Sequence, residues 1–260
     1  MTDPIRVTRD DRGVATIWLA RAEKHNALSA PMLSALEAEA RTLGRDEAVR
    51  VVVLAAEGKS FCAGGDLAWM REQFDMDPET RRRESARIAT ALGALYALPQ
   101  PLIGRVQGNA FGGGVGLACV CDVTIGADTI RMGLTETRLG LIPANIGPYV
   151  LARMGAVRAR EVFMNARLFG AQEAVRLGLL TRAVPSDALD AAVEAEVAPY
   201  LACAPGAVRD AKALLMDLAG RVDPSAVDHA IDALAARWES DEARAGIAAF
   251  FDKRPPPWGS

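Results

Sequence analysis

Two glycine-rich turns, each preceded by an apolar run, constrain most strongly what this chain can fold into. The first turn spans residues 59–67 and follows the valine-rich run 49–55, and the second spans residues 108–116 and follows Leu102–Val106. A short, uninterrupted apolar run is typical of a strand that is buried on both faces of a parallel sheet. We therefore expect two neighbouring core strands, each followed by a glycine-rich turn.

The remaining pattern predicts a β/α core followed by helices alone. Residues 5–8 and 14–19 are expected to pair as a hairpin, and residues 120–125 to form another core strand. The spacing of apolar residues predicts one helix after Ser29, a candidate N-cap, and another over residues 79–97. Beyond Pro185 only helical periodicity remains. We therefore divide the chain into an α/β core of residues 1–185 and a helical region of residues 186–260.

Composition and charge exclude some classes of partner and indicate the cellular compartment. Half of the 260 residues are hydrophobic, and the net charge of −3 offers no basic field for a phosphate backbone, so we expect no nucleic-acid partner. No uncharged stretch suits a membrane span and no signal peptide is evident, which predicts a cytoplasmic protein. The four cysteines lack CxxC spacing and are expected to be reduced and mostly buried. The arginine run at residues 81–83 is predicted to be a solvated helix face, with a phosphate clamp as the alternative.

Carboxylates and backbone N–H groups are the catalytic groups that this sequence offers. Its two histidines, His25 and His229, lack the setting of a serine or cysteine triad, and no histidine or cysteine cluster supports a catalytic metal. Glycines let the backbone approach a ligand closely, so two such turns can aim two N–H donors at one oxygen, as in an oxyanion hole. The alternative to an oxyanion hole is that these glycines only allow tight turns between a strand and a helix. A dinucleotide site is disfavoured because the spacing is not G-x-G-x-x-G.

Several motifs, in one order, resemble those of the crotonase (enoyl-CoA hydratase/isomerase) family. Residues 61–67, FCAGGDL, resemble its F-x-A-G-x-D-[LI] signature, and residues 108–114 its G-x-A-x-G-G-G segment. Residues 21–28, RAEKHNAL, are similar to R-P-E-K-x-N-A-L, and residues 250–254 to F-x-x-K-R. The resemblance runs nearly from end to end of the chain.

This resemblance implies a fold, an assembly and a set of binding residues. The family fold is a right-handed β-β-α superhelix, with a helical C-terminal region that packs in trimers or dimers of trimers. The substrate is an acyl-CoA thioester, so coenzyme A belongs to the substrate and no separate cofactor is expected. The oxyanion hole maps onto the N–H groups of Ala63 and Gly113. The implied substrate- and CoA-binding residues are Lys24, Ala27, Gly64, Gly65, Asp66, Leu67, Phe250 and Lys253. For Asp66, helix capping is the alternative role.

Only one of the two glutamates that hydratases of the family commonly use is present in this sequence. The second glutamate matches Glu136, which the resemblance makes the catalytic acid/base, whereas the first falls at Gly116. Three hypotheses follow: a hydratase of short or branched, glutaconyl-type enoyl-CoA, an enoyl-CoA isomerase or other crotonase reaction, and an acyl-CoA-binding protein without turnover. An ion pair of Glu136 with Arg131 or Arg138 is the structural alternative to catalysis.

Overall fold

Two sheets organise residues 3–219 and 224–255, which the computed structural model of the chain describes. The strands are β1 (Ile5–Arg9), β2 (Val14–Leu19), β3 (Val51–Ala56), β4 (Ser60–Cys62), β5 (Leu102–Val106), β6 (Asn109–Phe111), β7 (Val123–Ala127), β8 (Arg131–Gly133), β9 (Phe169–Gly170) and β10 (Arg182–Val184). The helices are α1 (Ala30–Arg45), α2 (Leu67–Glu72), α3 (Pro78–Tyr96), α4 (Gly113–Cys119), α5 (Gly147–Arg160), α6 (Ala171–Arg176), α7 (Leu189–Leu201), α8 (Pro205–Ala219), α9 (Pro224–Trp238) and α10 (Asp241–Phe251).

The larger sheet has the order β1-β2-β3-β5-β7-β10 and carries the core. The predicted hairpin is confirmed, since β1 and β2 pair antiparallel, while the pairs from β2 to β10 are parallel. All six residues of β3 are buried, as expected for a strand covered on both faces. Cys62, Cys119 and Cys121 are buried free thiols and Cys203 is an exposed one, as predicted.

Two boundaries differ from the sequence prediction for local reasons. The strand predicted at residues 120–125 is β7, which begins at Val123, because Val120 ends α4 and the Asp122 side chain accepts a hydrogen bond from the Leu102 N–H. The helix predicted after Ser29 is α1. Its Ser29 side chain makes no capping hydrogen bond, and Pro31 occupies the first turn instead.

The smaller sheet, in the order β4-β6-β8-β9, brings the two glycine-rich turns together. Each turn contains a short strand of its own, β4 in the first and β6 in the second, and these two strands pair in parallel. The chain then enters α2 after β4 and α4 after β6. The turns therefore meet because of this second sheet, which the sequence pattern did not predict.

The helices after Pro185 divide between two apolar clusters. Leu189, Val193 and Val197 on α7 belong to the core of the larger sheet. A separate cluster joins α9 and α10 to the segment before α5, and its buried members are Leu141, Ala144, Leu234, Trp238, Ala243 and Ile247. The C-terminal helices thus cover one end of their own chain's core. The division at residue 185 remains a prediction. No helix in the described ranges has the length and apolarity needed to cross a membrane.

Candidate active site

A cavity of about 390 Å³ lies where the two glycine-rich turns meet the segment between β8 and α5. Ala63, Gly64, Gly65 and Leu67 from the first turn and Gly112 and Gly113 from the second form one part of its wall. Other residues of the wall are Trp69, Met70, Gln73, Ser85, Ile88, Leu234, Trp238 and Phe250. Of this lining, the sequence analysis had predicted Ala63, Gly64, Gly65, Leu67, Gly113, Glu136 and Phe250.

In the first turn, one backbone N–H group has a hydrogen-bond acceptor and the next one has no backbone acceptor. The Ala63 N–H donates to the carbonyl oxygen of His25 at 3.0 Å, so it is not free in this structure. The next N–H, that of Gly64, makes no backbone hydrogen bond within the described ranges. Gly64 has φ of +96°, and a Cβ there would lie 3.2 Å from the Phe111 carbonyl oxygen. An oxyanion role for Ala63 therefore requires that its N–H be shared with, or released by, His25.

The second turn packs so tightly that only glycine fits. A Cβ at Gly113 would lie 2.5 Å from Leu28 Cδ1, and one at Gly114 would lie 2.4 Å from the Cys62 carbonyl oxygen. Gly113 begins α4, where a helix leaves its first N–H groups without partners, and no backbone acceptor among the described residues takes its N–H. Gly113 therefore presents a free donor at the cavity wall.

Glu136 is a half-buried residue whose carboxyl lies beside the second turn. It opens a 3-10 helix, Glu136–Leu139, and its Oε2 is buried without a hydrogen-bond partner. A Cβ at Gly112 would lie only 3.0 Å from its Oε1, so the glycine allows this approach. Burial raises the pKa of Glu136 to about 7. Such a group exchanges protons readily near neutral pH, which suits a general acid/base.

The structural alternatives for the two acidic residues have different outcomes. No ion pair joins Glu136 to Arg131 or Arg138 in the described part of the chain, and no arginine contributes to its pKa, so that alternative is wrong. Asp66 does cap a helix, because its Oδ1 accepts hydrogen bonds from the N–H groups of Ala68 and Trp69. Its Oδ2 pairs with Arg21 at 2.9 Å. Both Asp66 oxygens are therefore used within the protein.

Gly116, where the family's first glutamate would stand, has its side-chain space filled. A Cβ there would lie 2.5 Å from Ile146 Cγ2 and 3.1 Å from Leu92 Cδ1. Among the described residues that line the cavity, Glu136 is the only acidic one. The site is therefore built around a single carboxyl.

Only some of the other predicted binding residues line the cavity. Gly64, Gly65, Leu67 and Phe250 line it, whereas Lys24, Ala27, Asp66 and Lys253 do not. Lys24 and Lys253 are exposed, and Ala27 is a buried residue of the loop before α1. That loop is fixed by Asn26, a fully buried residue whose Nδ2 donates to the carbonyl oxygens of Glu57 and Ser60 at 2.8 Å. The sequence analysis had missed this role of Asn26.

Four other residues with polar side-chain groups that line the cavity were also missed. Gln73 and Ser85 are nearly fully buried, and the Ser85 hydroxyl donates to Gln73 Oε1 at 3.2 Å. Asn145 Oδ1 and Trp238 Nε1 are buried without a partner. The sequence does show polar side chains between the apolar positions of helices. That pattern alone does not indicate which cavity these side chains line.

Comparison with known proteins matches this arrangement to one family. The family model described as enoyl-CoA hydratase/isomerase matches residues 9–260. The chain belongs to the enoyl-CoA hydratase/isomerase family. A mitochondrial methylglutaconyl-CoA hydratase of Mus musculus is 32% identical over 269 residues, covering 98% of this chain and 83% of the relative. An enoyl-CoA hydratase structure from Mycobacterium avium superposes with a TM-score of 0.87 at 31% identity, covering 99% of this chain and 100% of the other.

A second solved structure extends the match. An enoyl-CoA hydratase of Mycobacterium smegmatis is 36% identical, with a TM-score of 0.80 and 98% of each chain covered. This member of the enoyl-CoA hydratase/isomerase family therefore has the crotonase fold, as the sequence motifs implied, and it is an enzyme of the hydratase/isomerase type. No support remains for the hypothesis of an acyl-CoA-binding protein without turnover.

Proposed function

We propose that this enzyme hydrates a short or branched, glutaconyl-type enoyl-CoA thioester, with Glu136 as general acid/base. The observation that carries the proposal is Glu136, whose pKa is raised to about 7, whose Oε2 has no hydrogen-bond partner, and which lines the same cavity as Gly113 with its free N–H. A carboxyl with a pKa near the working pH can both accept and return a proton.

The proposed reaction uses the thioester oxygen as the electron sink. Gly113 N–H and Ala63 N–H, the latter shared with His25, bind that oxygen and stabilise the charge that it gains. The oxygen of water forms a bond to the β-carbon as the C=C electron pair moves toward the thioester oxygen. Glu136 takes the proton that water loses and returns a proton to the α-carbon, which gives the 3-hydroxyacyl thioester.

The presence of Arg138 at the cavity is an argument for a glutaconyl-type acyl group. It is the only basic residue on the described cavity wall, and it forms no ion pair with the described residues. A glutaconyl-type acyl chain carries a distal carboxylate, which an arginine binds with paired hydrogen bonds. The mouse relative is named for a substrate of this chemical class.

Double-bond isomerisation is the second candidate, and the filled space at Gly116 favours it. A single carboxyl suffices to move a proton between two carbons of a 3-enoyl thioester, whereas family hydratases commonly use two. Both reactions need Glu136 and the same N–H donors, so they are distinguished by product.

A panel of CoA thioesters tests the proposal. Hydration of a 2-enoyl-CoA adds the mass of one water, while isomerisation of a 3-enoyl-CoA changes only absorbance. We expect Glu136→Gln to lower kcat about 10²- to 10⁴-fold with little change in ligand affinity. The exposed Glu47 provides a matched control, Glu47→Gln. Arg138→Gln should reduce turnover of a glutaconyl-CoA more than that of crotonyl-CoA. Full activity of folded Glu136→Gln would refute the proposed mechanism.

A further inference from the structure

One polar side chain on the cavity wall has an unused hydrogen-bond donor. Gln73 opens a 3-10 turn, Gln73–Asp75, directly after α2, and only 3% of its surface is exposed. Its Oε1 accepts a hydrogen bond from the Ser85 hydroxyl at 3.2 Å, so its Nε2 lies on the side of the amide away from that hydroxyl. Nε2 has no hydrogen-bond partner among the described residues, yet protein atoms do not enclose it completely. Since Gln73 is otherwise buried and lines the cavity, the space that Nε2 reaches is the cavity.

Both ends of Gln73 are held by α3. Its carbonyl oxygen accepts a hydrogen bond from Arg81 Nε at 2.7 Å, and Arg81 is itself a buried residue. Ser85, on the next turn of the same helix, holds the side-chain oxygen and is buried as well. The amide is therefore fixed in one orientation before a ligand binds. A donor that is fixed in advance loses little entropy on binding, so it favours ligands that place an acceptor opposite it.

The helix α3 also indicates how far Gln73 lies from the reacting carbons. Ser85, Ile88 and Leu92 share one face of this helix, because they are spaced by three and four residues. Ser85 and Ile88 line the cavity, and Leu92 Cδ1 lies 3.1 Å from the place of a Cβ on Gly116. The family's first glutamate would stand at Gly116, beside the carbons that react. Seven residues of helix span about 10 Å, so Gln73 lies toward the end of the cavity away from Gly116.

The exposure of the lining residues distinguishes the mouth of the cavity from its closed end. Leu67 and Phe250 are 44% and 47% exposed, whereas Gln73 and Ser85 are almost fully buried. Coenzyme A has a long pantetheine arm and a nucleotide, so most of it has to leave through the mouth. The closed end beside Gln73 is therefore left for the acyl group.

We propose that Gln73 is a specificity-determining residue, whose Nε2 donates a hydrogen bond to an oxygen at the far end of the acyl group. This inference rests on the proposed function in taking an enoyl-CoA thioester as the substrate, and it adds which end group the cavity selects. An alkyl chain that displaced water here would leave the buried donor without an acceptor, which costs free energy. The preferred acyl group therefore ends in a carboxylate or another acceptor oxygen rather than in a methyl group.

Paired 2-enoyl-CoA thioesters test this inference. Each pair has one chain length, from five to eight carbons, and its two members end in a carboxylate or in a methyl group. We expect the wild type to favour the carboxylate at one length or more. Gln73→Leu should lower that ratio of kcat/KM values about 10- to 100-fold, the effect of losing one hydrogen bond to a charged group. Gln73→Glu keeps an acceptor for Ser85 but replaces the donor by a second acceptor, so the ratio should fall further.

A second glutamine provides the control. Gln172 on α6 is exposed and does not line the cavity, so Gln172→Leu should leave the ratio at the wild-type value. Circular dichroism must show that each variant is folded. Dissociation constants of the matching saturated acyl-CoA thioesters give the same ratio without turnover.

The remaining outcomes separate this inference from the proposed function. Equal kcat/KM values for both end groups at every length in the wild type would overturn it. So would an unchanged ratio in folded Gln73→Leu, because the hydrogen bond with Ser85 would then only stabilise the turn. Loss of the ratio in Arg138→Gln alone would also overturn it, since Arg138 would then select the end group. If the wild-type enzyme hydrates none of the thioesters, the proposed hydration fails, while the ratio of dissociation constants still tests Gln73.

Discussion

Glu136 shows how one residue can be poorly placed for stability and well placed for catalysis. Its carboxyl is buried with neither a cation nor a hydrogen bond at Oε2. Water would solvate the charged form far better, so burial favours the protonated form and raises the pKa. The folded protein therefore tolerates the charge at a cost, and replacing the carboxyl should stabilise the fold.

The pH dependence of stability tests this interpretation of Glu136. Between its ordinary pKa of 4.5 and the folded value of about 7, the folded state holds a proton that the unfolded chain has lost. Its contribution to the free energy of unfolding is therefore full below pH 4.5 and falls as pH rises to about 7, by about 3 kcal/mol in total. Denaturant titrations should show that Glu136→Gln lacks this decline and exceeds the wild type above pH 7. The same decline in both proteins would contradict the assignment, and Glu47→Gln should keep it.

At the scale of elements, α4 and the segment before α5 interlock at Gly116. The missing side chain at 116 and the bulky Ile146 are complementary, since a methyl group at 116 would lie 2.5 Å from Ile146 Cγ2. A sequence with glutamate at 116 therefore needs a smaller residue at 146. The two positions have to be exchanged together.

A double-mutant cycle tests this interlock. Gly116→Ala should lower the free energy of unfolding by about 1–3 kcal/mol through overpacking. Combined with Ile146→Ala, it should cost less than the sum of the single changes, with a coupling of about 1 kcal/mol. Strict additivity in urea unfolding would show that the two positions are independent. By the same reasoning, Gly116→Glu should raise hydration of crotonyl-CoA only when Ile146→Gly makes room.

Arg81 of α3 connects Gln73, which lines the cavity, to the C-terminal helices. Its Nε donates to the Gln73 carbonyl oxygen and its Nη2 to that of Met76, both at 2.7 Å. Its Nη1 pairs with Glu239, just after α9. The prediction of a solvated face is therefore wrong for Arg81. It is confirmed for Arg82 and Arg83, which form surface ion pairs.

Replacing these arginines should separate the buried one from the exposed ones. Arg81→Met leaves buried carbonyl oxygens without donors and should lower stability by about 3 kcal/mol. Arg83→Met, the matched change on the same helix, should stay within about 0.5 kcal/mol of the wild type. Thermal unfolding of the two variants measures the difference. Equal melting temperatures would show that the Arg81 contacts do not stabilise the fold.

For the whole molecule, exposed apolar side chains indicate an assembly. Leu151 and Val157 on α5 and Met164 after it are more than half exposed, Val157 to 81%. Leu214 and Leu215 on α8 are exposed as well. Apolar side chains exposed in a contiguous patch are typical of a subunit interface, which makes these residues candidates for one. The sequence analysis placed the interface on the helices after Pro185, whereas the structure also exposes apolar residues before it.

Sedimentation tests both the assembly and its surface. We expect a homotrimer or a dimer of trimers at micromolar concentration, because burying these side chains removes apolar area from water. Val157→Asp should lower the mass if α5 forms the contact, and Leu215→Asp should do so if α8 does. Circular dichroism must show that each variant is folded. A stable wild-type monomer would contradict the prediction.

What the sequence by itself determined about this protein is mostly local. The valine-rich run of β3, the hairpin before it and the glycines at 112–114 are dictated by burial and by backbone space at those positions. Their motifs identified the family, and Glu136 followed from the motif match. The strand and the hairpin were predictable because each depends on neighbouring residues, whereas the glycines and Glu136 were predictable because their motifs match those of the family.

Only the tertiary structure decided how these parts meet. The second sheet brings the turns together, His25 engages the Ala63 N–H, and Ile146 takes the space beside Gly116. Trp238, far along the chain, helps to close the cavity. Each contact joins residues distant in sequence, and the pKa of Glu136 depends on the burial that they produce together. Periodicity and composition report which face of an element is apolar, but not which partner covers it, because packing selects that partner from the whole chain.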